Sequence, residues 1–500
     1  MNIFDELPSN SRAYEEHALI AKTGFREYDA RWLLGSQINL NGFVLLGEAL
    51  GTQLPLLDAP KEIIVGHDFR SYSQAVKNAL IIGLMNTGCR VHDIGLCTSP
   101  MAYFAQFHLD VQSVAMVTAS HNENGWTGVK IGTNRPLTHG PEEMSQLKDI
   151  TLQKKMDPIG GGSLVRHHHI ADAYLEDLLS MGRVTKKLKV VCAAGNGTAG
   201  AFAPKLFQDL GCEVIEETCE LDHSFPNYNP NPEDMVMLHA LSEKVRAHGA
   251  DVGFAFDGDG DRCGVVDNEG EEIFADKMGV IMAREFARHH TAPLFVVDVK
   301  STSLFNTDDM LRNLGARTEY WKTGHSYMKR HVNERGALAG FEKSGHYFLN
   351  PPLGRGYDDG LLTAVHICHM LCAQFPQSLA DLRRSLPMTW SSPTMSPYCA
   401  DEKKYAVVEQ IADGFEEDAA AGLLVNGLKI KDINRVNGIR ITLEDGTWGL
   451  VRASSNKPNL VVVVESPVSE ERMKGIFKVI DQRLECIDDV GAYDQKIELD

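Results

Sequence analysis

The sequence predicts an α/β protein in which three repeated α/β/α domains of mixed sheet precede a smaller α+β domain. Two observations carry this prediction: a strand–helix–glycine–strand pattern that occurs three times, and an unusual polar loop that follows each occurrence after one further apolar strand. Length is the third, since 500 residues exceed what a single hydrophobic core organises and three or four domains are expected.

Each repeat begins with an apolar strand, which we predict at 61–65, 187–192 and 294–299. A helical segment follows, and a glycine then separates it from a second strand, as expected where a helix end needs a left-handed residue. The three glycines are Gly88, Gly211 and Gly315. Repeated units of this kind favour parallel or mixed sheets covered by helices.

A polar loop follows the next apolar strand of every repeat. The loops are TASHN (118–122), DGDGDR (257–262) and FEKSGH (341–346). Loops at strand ends carry the chemistry of α/β domains, so three equivalent loops could converge on one cleft.

The last part of the chain has a different pattern. Residues 436–466 predict a hairpin, a loop and a strand, and residues 470–484 predict a closing helix. We therefore expect four domains, with the limits 1–168, 169–270, 271–386 and 387–500.

Composition narrows the function classes. A formal charge of −19 argues against nucleic acid as a partner but not against a small anionic substrate in a local basic pocket. The ten cysteines lack CxxC spacing, which is typical of a reduced compartment. The polar N-terminus resembles no secretory signal and no long apolar run occurs, so we expect a cytoplasmic protein without membrane contact. We also expect the chain to be a monomer or a homodimer.

Two of the loops contain groups suited to phosphoryl chemistry. DGDGDR places Asp257, Asp259 and Asp261 at alternate positions, and closely spaced carboxylates favour Mg²⁺, although a solvated acidic turn is the alternative. TASHN places Ser120 beside His121, with Lys130 downstream, so that serine could be a nucleophile or a phosphoryl carrier, or part of an ordinary turn.

Two further loops contain groups suited to a sugar phosphate. FEKSGH offers Glu342, Ser344 and His346, which can hydrogen-bond sugar hydroxyls. RASSNKP (452–458) combines two cations with hydroxyl and amide groups, which suits a phosphate dianion. An ordinary turn and a polar hairpin loop are the respective alternatives.

The segment GNGTAG (195–200) supports a competing class. It matches G-x-G-x-x-G between a strand and a helix, with acidic residues about twenty positions later, as in an NAD-dependent oxidoreductase. We favour a tight structural turn, because the equivalent turns of the other two repeats are not rich in glycine.

Taken together, the four loops resemble the α-D-phosphohexomutases, and within them the bacterial phosphomannomutase/phosphoglucomutase group. They occur in the order typical of that family, and the resemblance extends over nearly the whole chain. Supporting segments are FREYDARW (25–32), GHDFR (66–70), FPNYNPNPE (225–233), KTGHS (322–326) and YDDG (357–360).

The resemblance implies four domains around a central cleft and a reversible conversion of mannose 6-phosphate to mannose 1-phosphate, with the glucose phosphates as further candidates. The reaction would use a phosphoserine at Ser120 and a hexose 1,6-bisphosphate, which is both intermediate and activator. The small-molecule partners would be sugar phosphates, and Mg²⁺ would be held by Ser120, Asp257, Asp259 and Asp261.

The resemblance also assigns roles to individual residues. Those implied for catalysis are Ser120, His121, Lys130, Arg31 and Arg262. Those implied for substrate binding are Tyr28, Lys300, Gly324, His325, Glu342, Ser344, His346, Arg452, Ser454, Ser455 and Asn456.

The chain departs from the family pattern without losing these side chains. The departures are Glu123, Thr127, Phe341, Asn456 and Lys457. They leave the choice between mannose and glucose open. Phosphoglucosamine mutase is the alternative within the family, although KTGHS and RASSNKP are less like that group. A catalytically silent relative is disfavoured, because Ser120 and the three aspartates are all present.

Overall fold

The computed structural model describes residues 11–455 and 457–498, and in this part of the chain four β-sheets follow one another. The first three sheets contain both parallel and antiparallel pairs and are flanked by helices, whereas the fourth is antiparallel. This architecture confirms the predicted fold class. The limits between the domains remain our proposal.

The first sheet has six strands in the order β1-β5-β4-β2-β3-β6. Its strands are β1 (Ala30–Leu33), β2 (Glu62–His67), β3 (Arg90–Leu96), β4 (Ser113–Val117), β5 (Trp126–Gly132) and β6 (Ser163–Arg166). Its helices are α1 (Arg12–Glu16), α2 (Leu40–Leu56), α3 (Ser73–Asn86), α4 (Ser99–His108) and α5 (Pro141–Leu152).

The second sheet has five strands in the order β11-β10-β9-β7-β8. They are β7 (Lys189–Ala193), β8 (Glu213–Glu217), β9 (Val252–Phe256), β10 (Cys263–Asp267) and β11 (Glu272–Ile273). Its helices are α6 (Ile170–Leu179), α7 (Ala203–Leu210) and α8 (Met235–His248).

The third sheet has four strands in the order β13-β12-β14-β15. They are β12 (Leu294–Asp298), β13 (Arg317–Trp321), β14 (Ala339–Phe341) and β15 (Tyr347–Leu349). Its helices are α9 (Ala275–His289), α10 (Leu304–Thr307), α11 (Asp309–Asn313), α12 (His325–Glu334), α13 (Gly360–Ala373) and α14 (Leu379–Arg384).

The fourth sheet has six strands in the order β16-β21-β20-β19-β18-β17. They are β16 (Trp390–Ser391), β17 (Leu424–Val425), β18 (Leu428–Asn434), β19 (Ile439–Leu443), β20 (Trp448–Ala453) and β21 (Leu460–Ser466). Two helices cover it, α15 (Lys404–Ala421) and α16 (Glu470–Glu485).

The threefold repeat is confirmed, and its geometry explains why the polar loops meet. In each of the first three sheets the opening strand pairs in parallel with the strand that precedes the polar loop, namely β2 with β4, β7 with β9 and β12 with β14. Parallel neighbours end at the same edge of a sheet. The three loops therefore leave equivalent edges.

One predicted helix differs from the structure. The segment after β12 was expected to form a single helix, but it forms α10 and α11, separated at Asp308. Asp308 has an extended backbone, and its side chain accepts a hydrogen bond from the Leu311 N–H as the N-cap of α11. An aspartate favours that cap over a helix interior.

The fourth domain has a hydrophobic core of its own. One large cluster contains buried apolar residues from each of the first three domains, and the first domain has a second cluster as well. A separate cluster joins α15 and α16 to the fourth sheet. A smaller cluster connects β20 and β21 to Val299 after β12. This arrangement allows the fourth domain to move as a unit.

Within the described part of the chain, none of the helices combines the length and the apolar character that a bilayer crossing requires.

Candidate active site

Ser120 lies in a strained turn directly after strand β4. Its φ angle is 51°, in the left-handed region that residues with a side chain seldom adopt. Arg70 supports the turn by donating hydrogen bonds to the carbonyl oxygens of Ser120 at 2.9 Å and Asn122 at 2.7 Å. Asp68 accepts the Thr118 hydroxyl at 2.9 Å. These contacts fix the position of the Ser120 hydroxyl.

Two groups lie close to the Ser120 hydroxyl oxygen. Asp257 Oδ2 is 3.1 Å away and His121 Nδ1 is 3.3 Å away. Burial and then the positive charge of Arg262 lower the pKa of His121 well below its ordinary value. A neutral imidazole in this position can accept a proton.

A buried carboxylate cluster adjoins Ser120 and consists of Asp257, Asp259 and Asp261. One oxygen of each lies within 4.8 Å of the others. Burial and the two neighbouring carboxylates raise the pKa of Asp257 well above its ordinary value. In the part of the chain that the structure describes, Oδ1 of Asp259 and Oδ1 of Asp261 have no hydrogen-bond partner. Such oxygens fit a cation that prefers oxygen ligands.

Gly258 allows the serine loop (TASHN, 118–122) and the metal loop (DGDGDR, 257–262) to touch. A Cβ at Gly258 would lie 2.3 Å from the Ser120 carbonyl oxygen. Helix α4 holds the metal loop in place, because the Ser99 N–H donates to the Asp259 carbonyl oxygen at 2.9 Å and the Ser99 hydroxyl donates to its carboxylate at 2.5 Å. The predicted convergence of these two loops is therefore present in the structure.

Lys130 is held between two of the three carboxylates. Its Nζ lies 2.8 Å from Asp259 Oδ2 and also contacts Asp261. Burial by itself would lower the pKa of Lys130, but these two carboxylates raise it well above its ordinary value. Lys130 is therefore a protonated donor here, and its implied part in catalysis stays a prediction.

Arg262 connects the metal loop with the sugar loop (FEKSGH, 341–346). Its Nε lies 3.0 Å from His346 Nε2 and 3.8 Å from Asp257 Oδ2, and its Nη1 lies 3.4 Å from Glu233 Oε2. The guanidinium is nearly buried, at 9% exposure. It can therefore neutralise charge that develops beside Ser120.

The sugar loop is braced from two neighbouring loops. The Gly324 N–H donates to Glu342 Oε1 at 2.6 Å, and the Ser344 hydroxyl donates to Glu342 Oε2 at 3.3 Å. Gly324 has a φ of 128°, and a Cβ there would lie 2.8 Å from the Tyr28 ring. His346 Nδ1 lies 2.9 Å from Asp358 Oδ2.

The remaining predicted cleft residues form a second polar group. Asp29 accepts Arg31 Nη2 at 3.1 Å and lies 3.3 Å from His325 Nε2. Lys300 Nζ lies 3.8 Å from Glu233. Arg31 thereby has a fixed orientation on the wall of the cleft.

The loop of the fourth domain places its arginine toward the same space. Arg452 is 4% exposed. Its Nε donates to Asn437 Oδ1 at 2.8 Å, and its Nη2 lies 3.5 Å from the Ser455 hydroxyl. Asn456, which the resemblance also assigned to this loop, lies outside the described residues.

Ser120, Arg262, the predicted side chains of the sugar loop and Arg452 line one cavity of about 390 Å³ between the four domains, whereas the three aspartates of the carboxylate cluster are not among its lining residues. Every predicted catalytic and substrate-binding residue in the described part of the chain contributes to its wall. Seven basic side chains line the cavity: Arg26, Arg31, Lys130, Arg262, Lys300, Arg452 and Lys457. Three acidic side chains do so: Asp29, Glu233 and Glu342. A chain with a net charge of −19 thus contains a basic pocket suited to an anion.

The sequence analysis missed several residues of this site. Asp29, Glu233 and Asp358 position predicted residues, but nothing in the sequence connects them with their partners. Each lies within a segment that supported the resemblance, and that is the signal by which they could have been found. Lys457, noted only as an added charge, lies in the cavity wall.

The glycines of GNGTAG are packed against protein. A Cβ would lie 2.8 Å from Pro230 at Gly195, 2.9 Å from the Ala194 carbonyl oxygen at Gly197, and 2.2 Å from the Cys219 carbonyl oxygen at Gly200. These glycines serve close packing, as in a structural turn, and leave no approach for a pyrophosphate. The turn gives no support to the oxidoreductase alternative.

Comparison with known proteins agrees with this geometry. Four protein-family models match this chain. They are described as the phosphoglucomutase/phosphomannomutase alpha/beta/alpha domains I, II and III and the C-terminal domain. They cover residues 22–157, 172–270, 274–389 and 399–483.

Two curated relatives and one solved structure are similar over nearly their whole lengths. A phosphomannomutase/phosphoglucomutase of Pseudomonas putida is 34% identical and covers 92% of this chain and 96% of its own. A probable phosphoglucosamine mutase of Methanothermobacter thermautotrophicus is 31% identical and covers 88% and 93%. The crystal structure of a phosphoglucomutase/phosphomannomutase family protein from Burkholderia thailandensis has a TM-score of 0.83, is 29% identical, and covers 93% and 98%. The chain therefore belongs to the phosphoglucomutase/phosphomannomutase family of phosphohexomutases.

Proposed function

We propose that this chain reversibly converts mannose 6-phosphate to mannose 1-phosphate, and accepts the glucose phosphates as well, through a phosphoserine at Ser120. The observation that carries the proposal is the hydroxyl of Ser120, fixed in a strained turn 3.1 Å from a buried carboxylate cluster and facing a basic cavity. Such a hydroxyl is placed to exchange a phosphoryl group with a bound sugar.

The carboxylate cluster fits Mg²⁺, because two of its buried oxygens, Asp259 Oδ1 and Asp261 Oδ1, lack hydrogen-bond partners and oxygen ligands suit this ion. Asp257, Asp259 and Asp261 would hold it, together with an oxygen of the Ser120 phosphate. When bound, the ion neutralises charge on the phosphoryl group. Arg262 contributes positive charge from the chain itself on the side of the sugar loop.

Phosphoryl transfer forms a bond between the phosphorus and a sugar hydroxyl oxygen and breaks the bond between the phosphorus and Ser120 Oγ. The sugar hydroxyl loses a proton and Ser120 Oγ gains one. His121, which is neutral and 3.3 Å from that oxygen, is our candidate for holding the proton. The product is a hexose 1,6-bisphosphate, which turns in the cavity and returns its other phosphate to Ser120; added bisphosphate would also activate the enzyme.

The non-transferred phosphate would be gripped by the loop of the fourth domain. Arg452, Ser454 and Ser455 line the same cavity as Ser120, and Lys457 adds charge. Glu342, Ser344 and His346 would bind the sugar hydroxyls. The separate core of the fourth domain allows this loop to follow either end of the sugar.

Parallel coupled assays test the proposal. The purified chain, with Mg²⁺ and a trace of glucose 1,6-bisphosphate, is supplied in turn with the 1-phosphates of mannose, glucose and glucosamine. We expect turnover of the first two. Turnover of glucosamine 1-phosphate alone would favour the activity named for the Methanothermobacter relative. Turnover of none would refute a mutase.

A further inference from the structure

We propose that Glu27 is a latch that holds the fourth domain closed over the bound sugar phosphate. Glu27 lies in the loop before β1, between Arg26 and Tyr28, which both line the cavity. Glu27 itself is not among the lining residues, so it lies beside the cavity wall and not at the reacting centre. This inference rests on the proposed function for the identity of the ligand, but its structural part can be tested without it.

The Glu27 carboxylate divides its two oxygens between two other domains. Oε2 accepts the hydroxyl of Tyr327, on α12, at 2.7 Å. Oε1 accepts the hydroxyl of Tyr405, on α15. Burial raises the pKa of both tyrosines, and the hydrogen bond to Glu27 and its negative charge raise it further, so both remain hydroxyl donors. One side chain of the first domain thus joins the third and fourth.

An adjacent ion pair reinforces the closure. Arg26 Nη1 lies 3.2 Å from Asp401 Oδ2 in the fourth domain. Asp401 also accepts Lys404 Nζ at 2.8 Å, and the same ammonium donates to the carbonyl oxygens of Ser454 at 2.6 Å and Lys457 at 3.2 Å. The start of α15 therefore connects the latch with the backbone of the phosphate loop, which is the segment RASSNKP (452–458).

These contacts give the latch a mechanical role. The fourth domain has a core of its own and contacts the third domain through the smaller cluster at Val299, so it can move as a unit about that contact. The latch is a polar contact that can open and close with modest cost. When closed, it brings the phosphate loop against the part of the cavity wall that contains Tyr28, so the loop keeps its grip on the bound sugar and the hexose 1,6-bisphosphate escapes less readily. Glu27 is a positioning residue, since it does not touch the reacting atoms.

The test compares Glu27→Gln, Tyr405→Phe and their double variant with Tyr398→Phe. Glutamine keeps one accepting oxygen and loses the other, and phenylalanine removes only a hydroxyl. Tyr398 is a matched control, because it is 53% exposed against 51% for Tyr405 in the same domain. We expect each single variant to raise the KM for a hexose 1-phosphate about three- to tenfold, to increase the requirement for added glucose 1,6-bisphosphate, and to leave kcat nearly unchanged once both are saturating. Tyr398→Phe should behave as the parent chain.

Two further results separate a latch from a merely structural contact. Glu27→Gln disturbs the contacts with both tyrosines, whereas Tyr405→Phe removes only one of them, so the double variant should be no worse than Glu27→Gln alone. Small-angle X-ray scattering without substrate should show a larger radius of gyration in the variants, which saturating hexose phosphate restores. Additive effects, or an unchanged KM and radius of gyration, would overturn the inference. An inactive parent chain would refute the proposed function, whereas the scattering comparison would still decide on the latch.

Discussion

Replacing Arg452 with alanine should weaken the grip on the phosphate that is not transferred. The guanidinium is almost buried and oriented by Asn437. A charge-assisted contact of this kind contributes about 1.5–3 kcal/mol, so Arg452→Ala should lose about ten- to a hundredfold in kcat/KM. KM should rise, and kcat should fall as well, because binding energy at the remote phosphate also orients the cleft.

Steady-state kinetics with a hexose 1-phosphate, together with the intact mass, measure this effect. Ser120 should still become phosphorylated, since its site belongs to other domains. The matched control is Arg435→Ala, which removes an arginine of the same domain that pairs with Glu416 at 3.2 Å and does not line the cavity. Unchanged kinetics in Arg452→Ala would show that the phosphate is held elsewhere, and an equal loss in Arg435→Ala would indicate general damage to the domain.

Three other perturbations follow from the site and the fold. Ser120→Ala should lose nearly all turnover in the coupled assay while its circular dichroism spectrum stays that of the parent; parent-like turnover would refute the carrier role. Exhaustive chelation should abolish activity, Mg²⁺ should restore it, and Asp259→Asn should reduce it at saturating Mg²⁺; full activity after chelation would contradict the metal site. Burial raises the pKa of Asp359 to about 7 in the folded chain. The stability that depends on the protonated Asp359 carboxyl is therefore fully present below the pKa that this carboxyl has in the unfolded chain, and it is lost as pH rises toward 7. In urea unfolding, the free energy of unfolding of Asp359→Asn should therefore rise by about 2–3 kcal/mol relative to that of the parent between pH 5 and pH 8. A difference between variant and parent that stays constant with pH would show that Asp359 ionises normally.

The sequence predicted those parts of the fold that depend on local patterns. The strands that lead to Ser120, Asp257 and Glu342 are short apolar runs, and their polar loops are adjacent in sequence. Periodicity and the glycines at the helix ends were sufficient for the repeat. The break at Asp308 escaped prediction because it depends on the choice between helix interior and cap, which the Arg284 ion pair with Asp308 also influences.

Contacts between distant segments could not be predicted. Asp29 meets His325 across 296 positions, and Glu27 meets Tyr405 across 378. Neither pair has a local pattern, because the geometry arises only when the domains assemble. The ion pairs of Lys130 could not be predicted for the same reason, because its two carboxylate partners belong to another domain.

Ser120 is the proposed carrier of the transferred group, and a labelling experiment tests this role most directly. The parent chain is incubated with glucose 1,6-bisphosphate labelled with ³²P, freed of ligand, digested and mapped, and a second portion is chased with unlabelled mannose 1-phosphate. We predict label on the peptide that contains Ser120, and its transfer during the chase first to a bisphosphate and then to mannose 6-phosphate. Label on any other residue, or label on Ser120 that the chase does not remove, would contradict the mechanism.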